Sequence, residues 1–362
     1  MKRTQLKWLA VSIGFSVAVL ALVLYFTTDE STLDYLSRLD PLFLFLGLAV
    51  HMAALCFWAL RIQFMSRSLG YRVRFGHCLN MVLANMLVAA ITPSQAGGEP
   101  VRIHELYRAD VKIGDATAIV IMERVLDGIV LGSIGAIAML LLSTYWRSIE
   151  LNVATPMFIS WIFVSGFLIV FAYSVRNPDL LKRLLHRFSD WLARRWTSRY
   201  IDRFVGAIDH EVDNFHDGLV TFVGRGKAGV LWGIIFTTAF WCCEFIIASL
   251  ILIGLGEQPH LIESFIVQLI IAILMMIPLT PGGSGVAELS ATSLYGIFVP
   301  SSIVGVFVVL WRLILFYVNI IIGLLASIYI VRRELIYRTI GLKKKAGLQE
   351  GTDVVTSRRE KR

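Results

Sequence analysis

A chain of 362 residues, 57% of them hydrophobic and with a mean hydropathy of +0.71, is too apolar for a soluble domain. A formal charge of +8 would suggest a nucleic-acid partner in a soluble protein, but no basic, aromatic module interrupts the apolar runs here. The excess reads instead as basic residues gathered in cytoplasmic loops. Composition points to an all-α polytopic membrane protein with no nucleic-acid partner.

Lys2, Arg3 and Lys7 precede an apolar run from Trp8 to Phe26, and no small-residue cleavage site follows it. Residues 8–26 are therefore read as an uncleaved first span. The acidic stretch Thr27 to Asp40 suits the outer face, and the second span is expected over 42–62. Arg61, Arg67, Arg72 and Arg74 then follow with no acid between them, which marks an inner loop.

The next apolar run, Gly76 to Ile91, is short and ends at Thr92-Pro93-Ser94-Gln95-Ala96-Gly97-Gly98-Glu99. Arg102, Arg108 and Lys112 stay inside only if the chain turns back, so 76–112 is expected to be a re-entrant helical hairpin. Irregular backbone at that depth requires protein or water around it. Spans three and four are expected at 116–142 and 156–175. Residues 176–227 are expected to form helices along the cytoplasmic surface.

Span five is expected at 229–254. Ser264 to Leu279 then breaks at Thr280-Pro281-Gly282-Gly283-Ser284-Gly285, giving a second hairpin over 264–300 that enters from outside. Span six is expected at 302–331. The layout is one membrane domain over 1–335 and a basic cytoplasmic tail over 336–362. It has six transmembrane helices and two re-entrant hairpins, lies in the cell membrane and has both termini inside. A kinked full span is the alternative for either hairpin.

Arg124 follows Thr92 by 32 residues, and Arg312 follows Thr280 by the same interval. In the expected topology the two units run in opposite directions, as an inverted repeat. Broken helices between inverted repeats are a transporter plan, with the site at their interface.

The glycines of each break (Gly97, Gly98; Gly282, Gly283) let backbone approach a ligand, and the following helices present their N-termini, which attract anions. The competing reading is that the glycines only pack a tight turn. Arg124 and Arg312 lie inside apolar helices, where a charge is costly, so both are expected to face one cavity and hold an anionic headgroup. Glu123, Arg124 and Asp127 share a helix and read equally as an internal ion pair, with Arg124 reaching Asp127. A partner for Arg312 must come from Glu288, Glu244 or a ligand. Arg102 reads as a phosphate clamp at the cytoplasmic mouth or as a snorkelling base. His104 and Glu105 read as surface residues.

Asp209, His210, Asp213, His216 and Asp217 match no metal-ligand spacing. Cys56, Cys78, Cys242 and Cys243 read as small apolar residues. No phosphate-loop motif and no nucleophilic triad stands out, so no metal and no cofactor is expected.

Residues 92–102, Glu123 to Asp127 and 278–288 resemble the hallmark segments of the lysylphosphatidylglycerol synthase transmembrane, or flippase-like, family, and the resemblance covers roughly 8–331. It implies the membrane module alone, without a synthase domain. It implies Gly97, Gly98, Glu99, Arg102, Glu123, Arg124, Asp127, Gly282, Gly283 and Glu288 as the functional set; Arg312 joins them from the repeat. The expected function is translocation of an anionic or lipid-linked phosphate headgroup. The alternative is a lipid-binding subunit that serves a separate partner enzyme. An enzyme in its own right is the least favoured reading.

Overall fold

The computed structural model describes residues 3–27, 30–92, 97–145, 227–275 and 282–333, together with Thr280 and a few isolated positions between 162 and 224. The fourth expected span, nearly all of the surface segment 176–227 and the basic tail lie outside the described residues.

All regular structure among the described residues is helical: α1 (Arg3–Thr27), α2 (Glu30–Ser37), α3 (Pro41–Ser68), α4 (Phe75–Ala90), α5 (Gly98–Arg108), α6 (Ile113–Tyr145), α7 (Lys227–Gly254), α8 (Leu261–Leu274), α9 (Val286–Tyr295) and α10 (Ser301–Arg333). Helices α3, α7 and α10 are long and apolar enough to cross a membrane, at 28, 28 and 33 residues, or roughly 40–50 Å at 1.5 Å per residue. At most a third of their most apolar stretches is buried, so the remainder forms an outward apolar surface.

Local signals set several boundaries. Asp40 caps α3 by accepting from the Leu42 N–H at 2.9 Å, and Pro41 occupies the first turn, where a missing N–H costs nothing. Helix α3 runs to Ser68, six residues past the expected end of span two, so Arg61 lies within the helix and not at its end. In the loop after it, Tyr71 donates to Asp115 at 2.6 Å; burial, and then that bond, push the phenol up to about 12.

Each break joins two antiparallel helices. In the first pair, His77 Nε2 lies 2.9 Å from the Glu105 carbonyl, Arg102 bonds Asn85 at 3.0 Å, and the Gly97 N–H donates to Thr92 Oγ1 at 3.0 Å. Contacts between rising positions on α4 and falling positions on α5 mean that the chain comes back along its own path. In the second, α8 and α9 meet through Gln268 and Tyr295 at 3.0 Å and through the His260 and Phe298 rings at 5.1 Å.

The apolar core has two main parts. One gathers α3, α4 and α6 around Leu55, Met65, Met81 and Leu126. The other gathers α7 to α10 around Ile247, Ile270, Tyr295 and Phe307. A small cluster of Leu87, Ala90, Phe316 and Ile320 links the end of α4 to α10.

Candidate functional site

The two breaks touch. The Gly282 N–H donates to the Thr92 carbonyl at 3.1 Å. Gly282 has φ +59°, a left-handed conformation that glycine adopts without strain, and a Cβ there would stand 2.6 Å from the Ala90 carbonyl oxygen. Beside this contact lies a cavity of about 190 Å³, well over ten times the roughly 10–15 Å³ that a single water must occupy. Arg124 of α6 and Arg312 of α10 both line it, as do Trp58, Trp241 and Gly282.

The two arginines are held alike. Arg124 Nε donates to Glu99 at 2.7 Å, and Arg312 Nε lies 2.9 Å from Glu288. Each acid follows a break, and each arginine comes from the next long helix. The surroundings differ. Arg124 and Glu99 are each about one-third exposed, and among the described residues Arg124 uses only Nε. Arg312 is buried; its Nη2 donates to Ser284 and its guanidinium carbon sits 4.0 Å from the Phe316 ring centre. Glu288 also accepts from Ser16 of α1 and from the Gly285 N–H, both at 2.6 Å, so α1 is tied to the second break. Immediately after Arg312, Leu313–Tyr317 forms one π-helical turn.

The expected Arg124–Asp127 pair is replaced by a partner that the sequence reading left in a loop. Arg61 reaches from α3 to both acids: Nη1 to Asp127 at 2.7 Å and Nη2 to Glu123 at 2.9 Å. Trp58 and Trp241 donate to the same carboxylates at 2.7 and 3.1 Å. Glu123 and Asp127 lie one helical turn apart, so one guanidinium fork spans them.

Arg102 is neither at a mouth nor snorkelling. It is 1% exposed, bonded to Asn85 and 3.4 Å from Glu123, with its charge over Trp58. Gly98 leaves room for Asn85, whose side chain fills the space a Cβ would take. Gly97 likewise lies against Thr92, and Gly283 against Met275, which is close packing of the turns. Glu105 is buried and pairs with Arg108, while His104 is exposed. Asp209, His210, Asp213 and His216 lie outside the described residues.

The arginines of this region are matched in number by acids. The four arginines 61, 102, 124 and 312 face the four carboxylates 99, 123, 127 and 288. Six buried side-chain atoms lack a hydrogen-bond partner among the described residues; the Trp311 indole N–H, at the cavity wall, is one that also has no carboxylate beside it.

A further polar set lines the cavity. His51 on α3, Glu244 on α7 and Asn319 on α10 meet there, with His51 Nδ1 2.7 Å from Glu244 and Nε2 2.9 Å from Asn319 Oδ1. The signal available in the sequence was the bare presence of an ionisable residue in each of two apolar spans.

Residues 9–323 match the family described as the lysylphosphatidylglycerol synthase TM region. The chain is similar to a UPF0104 membrane protein of Archaeoglobus fulgidus, 33% identical over 322 residues, covering 88% of this chain and 96% of the relative. It is 23% identical to a UPF0104 membrane protein of Methanocaldococcus jannaschii over 88% of this chain and 93% of that one. A third, from Methanothermobacter thermautotrophicus, is 24% identical, with 90% and 92% covered.

Proposed function

The chain belongs to the lysylphosphatidylglycerol synthase transmembrane-region family, and on that premise we propose that it is a lipid translocase of the cell membrane. It admits an anionic or lipid-linked phosphate headgroup into the cavity between the two broken-helix pairs. In this reading both pairs are re-entrant, one from each side of the bilayer, within a bundle of six spans whose termini are cytoplasmic. The antiparallel course of α4 with α5 and of α8 with α9 supports it.

The observation that carries the reading is the shared cavity. It takes Arg124 from one half and Arg312 from the other, with the break residue Gly282 between them. A phosphate entering here meets the terminal nitrogens of Arg124 and the indole N–H of Trp311, which have no partner among the described residues. Charge-assisted bonds of this kind suit a phosphate, whose oxygens accept several at once. Arg312 is held by its own acid and shapes the wall. Gly282 serves the approach of the two breaks, Gly97, Gly98 and Gly283 pack the turns, and Arg102, Glu123 and Asp127 hold α3, α5 and α6 in register around the site.

The test is a leaflet-sidedness assay with purified protein in liposomes and a labelled anionic phospholipid. Exchange faster than in empty vesicles is expected. Equal rates across several headgroups would overturn the translocase reading.

A further inference from the structure

The His51 ring stands between two acceptors. Nδ1 faces the Glu244 carboxylate at 2.7 Å and Nε2 faces Asn319 Oδ1 at 2.9 Å. Asn319 cannot turn its amide to offer a donor without loss, because its Nδ2 already donates to the Leu315 carbonyl at 2.8 Å. A neutral imidazole has one N–H and one lone pair. With Glu244 ionised, a neutral ring would set a lone pair against an acceptor in one of these two contacts. Both contacts are satisfied only if the pair carries one more proton, either on the ring or on the Glu244 carboxyl group.

That extra proton sits where it matters for cargo. His51, Glu244 and Asn319 all line the cavity with Arg124 and Arg312. The arginines are balanced by Glu99, Glu123, Asp127 and Glu288, so the charge of the cavity turns on this pair. The groups facing it from the packed elements are Arg124 on α6 and Arg312 on α10. Cys243 adjoins Glu244 on α7, and α4 and α8 present no ionisable group to the cavity. With the proton the pair is neutral; without it the pair is an anion. It also ties α3, from the first core, to α7 and α10 of the second.

We propose that His51 and Glu244 form a proton-binding site, and that a negatively charged headgroup enters the cavity together with one proton on this pair. The inference rests on the headgroup reading for its second half only. Headgroup and proton are linked ligands, so each raises the affinity for the other. Above the pH at which the empty pair loses its proton, an anion must bring the proton in with it. One-proton linkage then raises the apparent Kd about tenfold per pH unit.

Two measurements test this on the intact protein. The first is ¹⁵N-histidine NMR with infrared difference spectroscopy of the wild type in lipid bilayers between pH 5 and 9, with the His51 signal assigned by its loss in H51Q. An imidazolium, or a neutral ring beside a protonated carboxyl, is expected at the acid end. A neutral His51 beside an ionised Glu244 over the whole range overturns the proposal. The second is binding of short-chain phosphatidylglycerol, whose phosphodiester keeps one negative charge over that range. The tenfold-per-unit slope is expected in the wild type, and a flat profile in H51Q/E244Q. An equal slope in both overturns the coupling. Absence of binding at every pH, with the spectroscopic proton present, removes the headgroup reading and the coupling and leaves the proton site standing.

Discussion

The Gly282 N–H and the Thr92 carbonyl meet at 3.1 Å, a single backbone hydrogen bond that joins two breaks 190 residues apart in the chain. Nothing but glycine fits its donor position, where φ is +59° and the Ala90 carbonyl oxygen lies 2.6 Å from an added Cβ. G282A is expected to destabilise the protein by about 1–3 kcal/mol from backbone strain alone, and further from the clash. G256A is the comparison: φ is +80° there, but open space surrounds the site. Thermal unfolding in detergent should show the larger fall in Tm for G282A.

Among the described residues, Arg61 is the sole cation bonded to Asp127 and one of two beside Glu123. Removing it leaves buried carboxylates uncompensated, at a cost of about 3–5 kcal/mol. R61A should therefore lower Tm more than any single change at Arg124. Adding E123Q and D127N to it should recover a large part of the loss, since the unpaired charges go with it.

Arg124 and Arg312 should separate stability from binding. The Arg124–Glu99 pair is about one-third exposed, so R124Q is expected to cost less than about 1 kcal/mol of stability. It should still slow leaflet exchange and weaken phospholipid binding at least tenfold. The Arg312–Glu288 pair is buried, and R312Q should cost about 3–5 kcal/mol. Unchanged binding in R124Q would remove Arg124 from the headgroup site.

Gly98 tests the packing role of the first break. A Cβ there runs into Asn85, which holds Arg102. G98A should cost about 1–3 kcal/mol by overpacking. N85A/G98A should regain part of it, since the alanine vacates the space. A phosphate-cradling glycine would show no such rescue.

Much of the framework was legible in the sequence. The two Thr-Pro breaks, the short apolar runs before them and the equal intervals to Arg124 and Arg312 are periodic or local signals, and the described helices on either side of each break fall where those signals put them, while the short α2 was not expected. The side-chain partners were hidden for a different reason. Arg61 lies at the edge of the expected span and at the head of a run of bases that reads as an inner loop; α3 continues to Ser68, so Arg61 sits within the helix and is buried. Asp127 therefore found its cation on another helix rather than one turn away. His51, Glu244 and Asn319 are single polar residues on three helices, and no spacing rule joins positions so far apart.

The balanced arginines and carboxylates have a bearing on selectivity. A cavity lined by unmatched guanidinium groups would hold a standing positive potential, and chloride or free phosphate from either compartment would dwell in it. Here each arginine carries its own counter-charge, so a stray inorganic ion finds no net field to draw it in. On the proposed reading, a lipid must instead supply contact of its own, along an acyl chain as well as at its head. On that reading, such an interior would take up a charged lipid without becoming a leak for small ions.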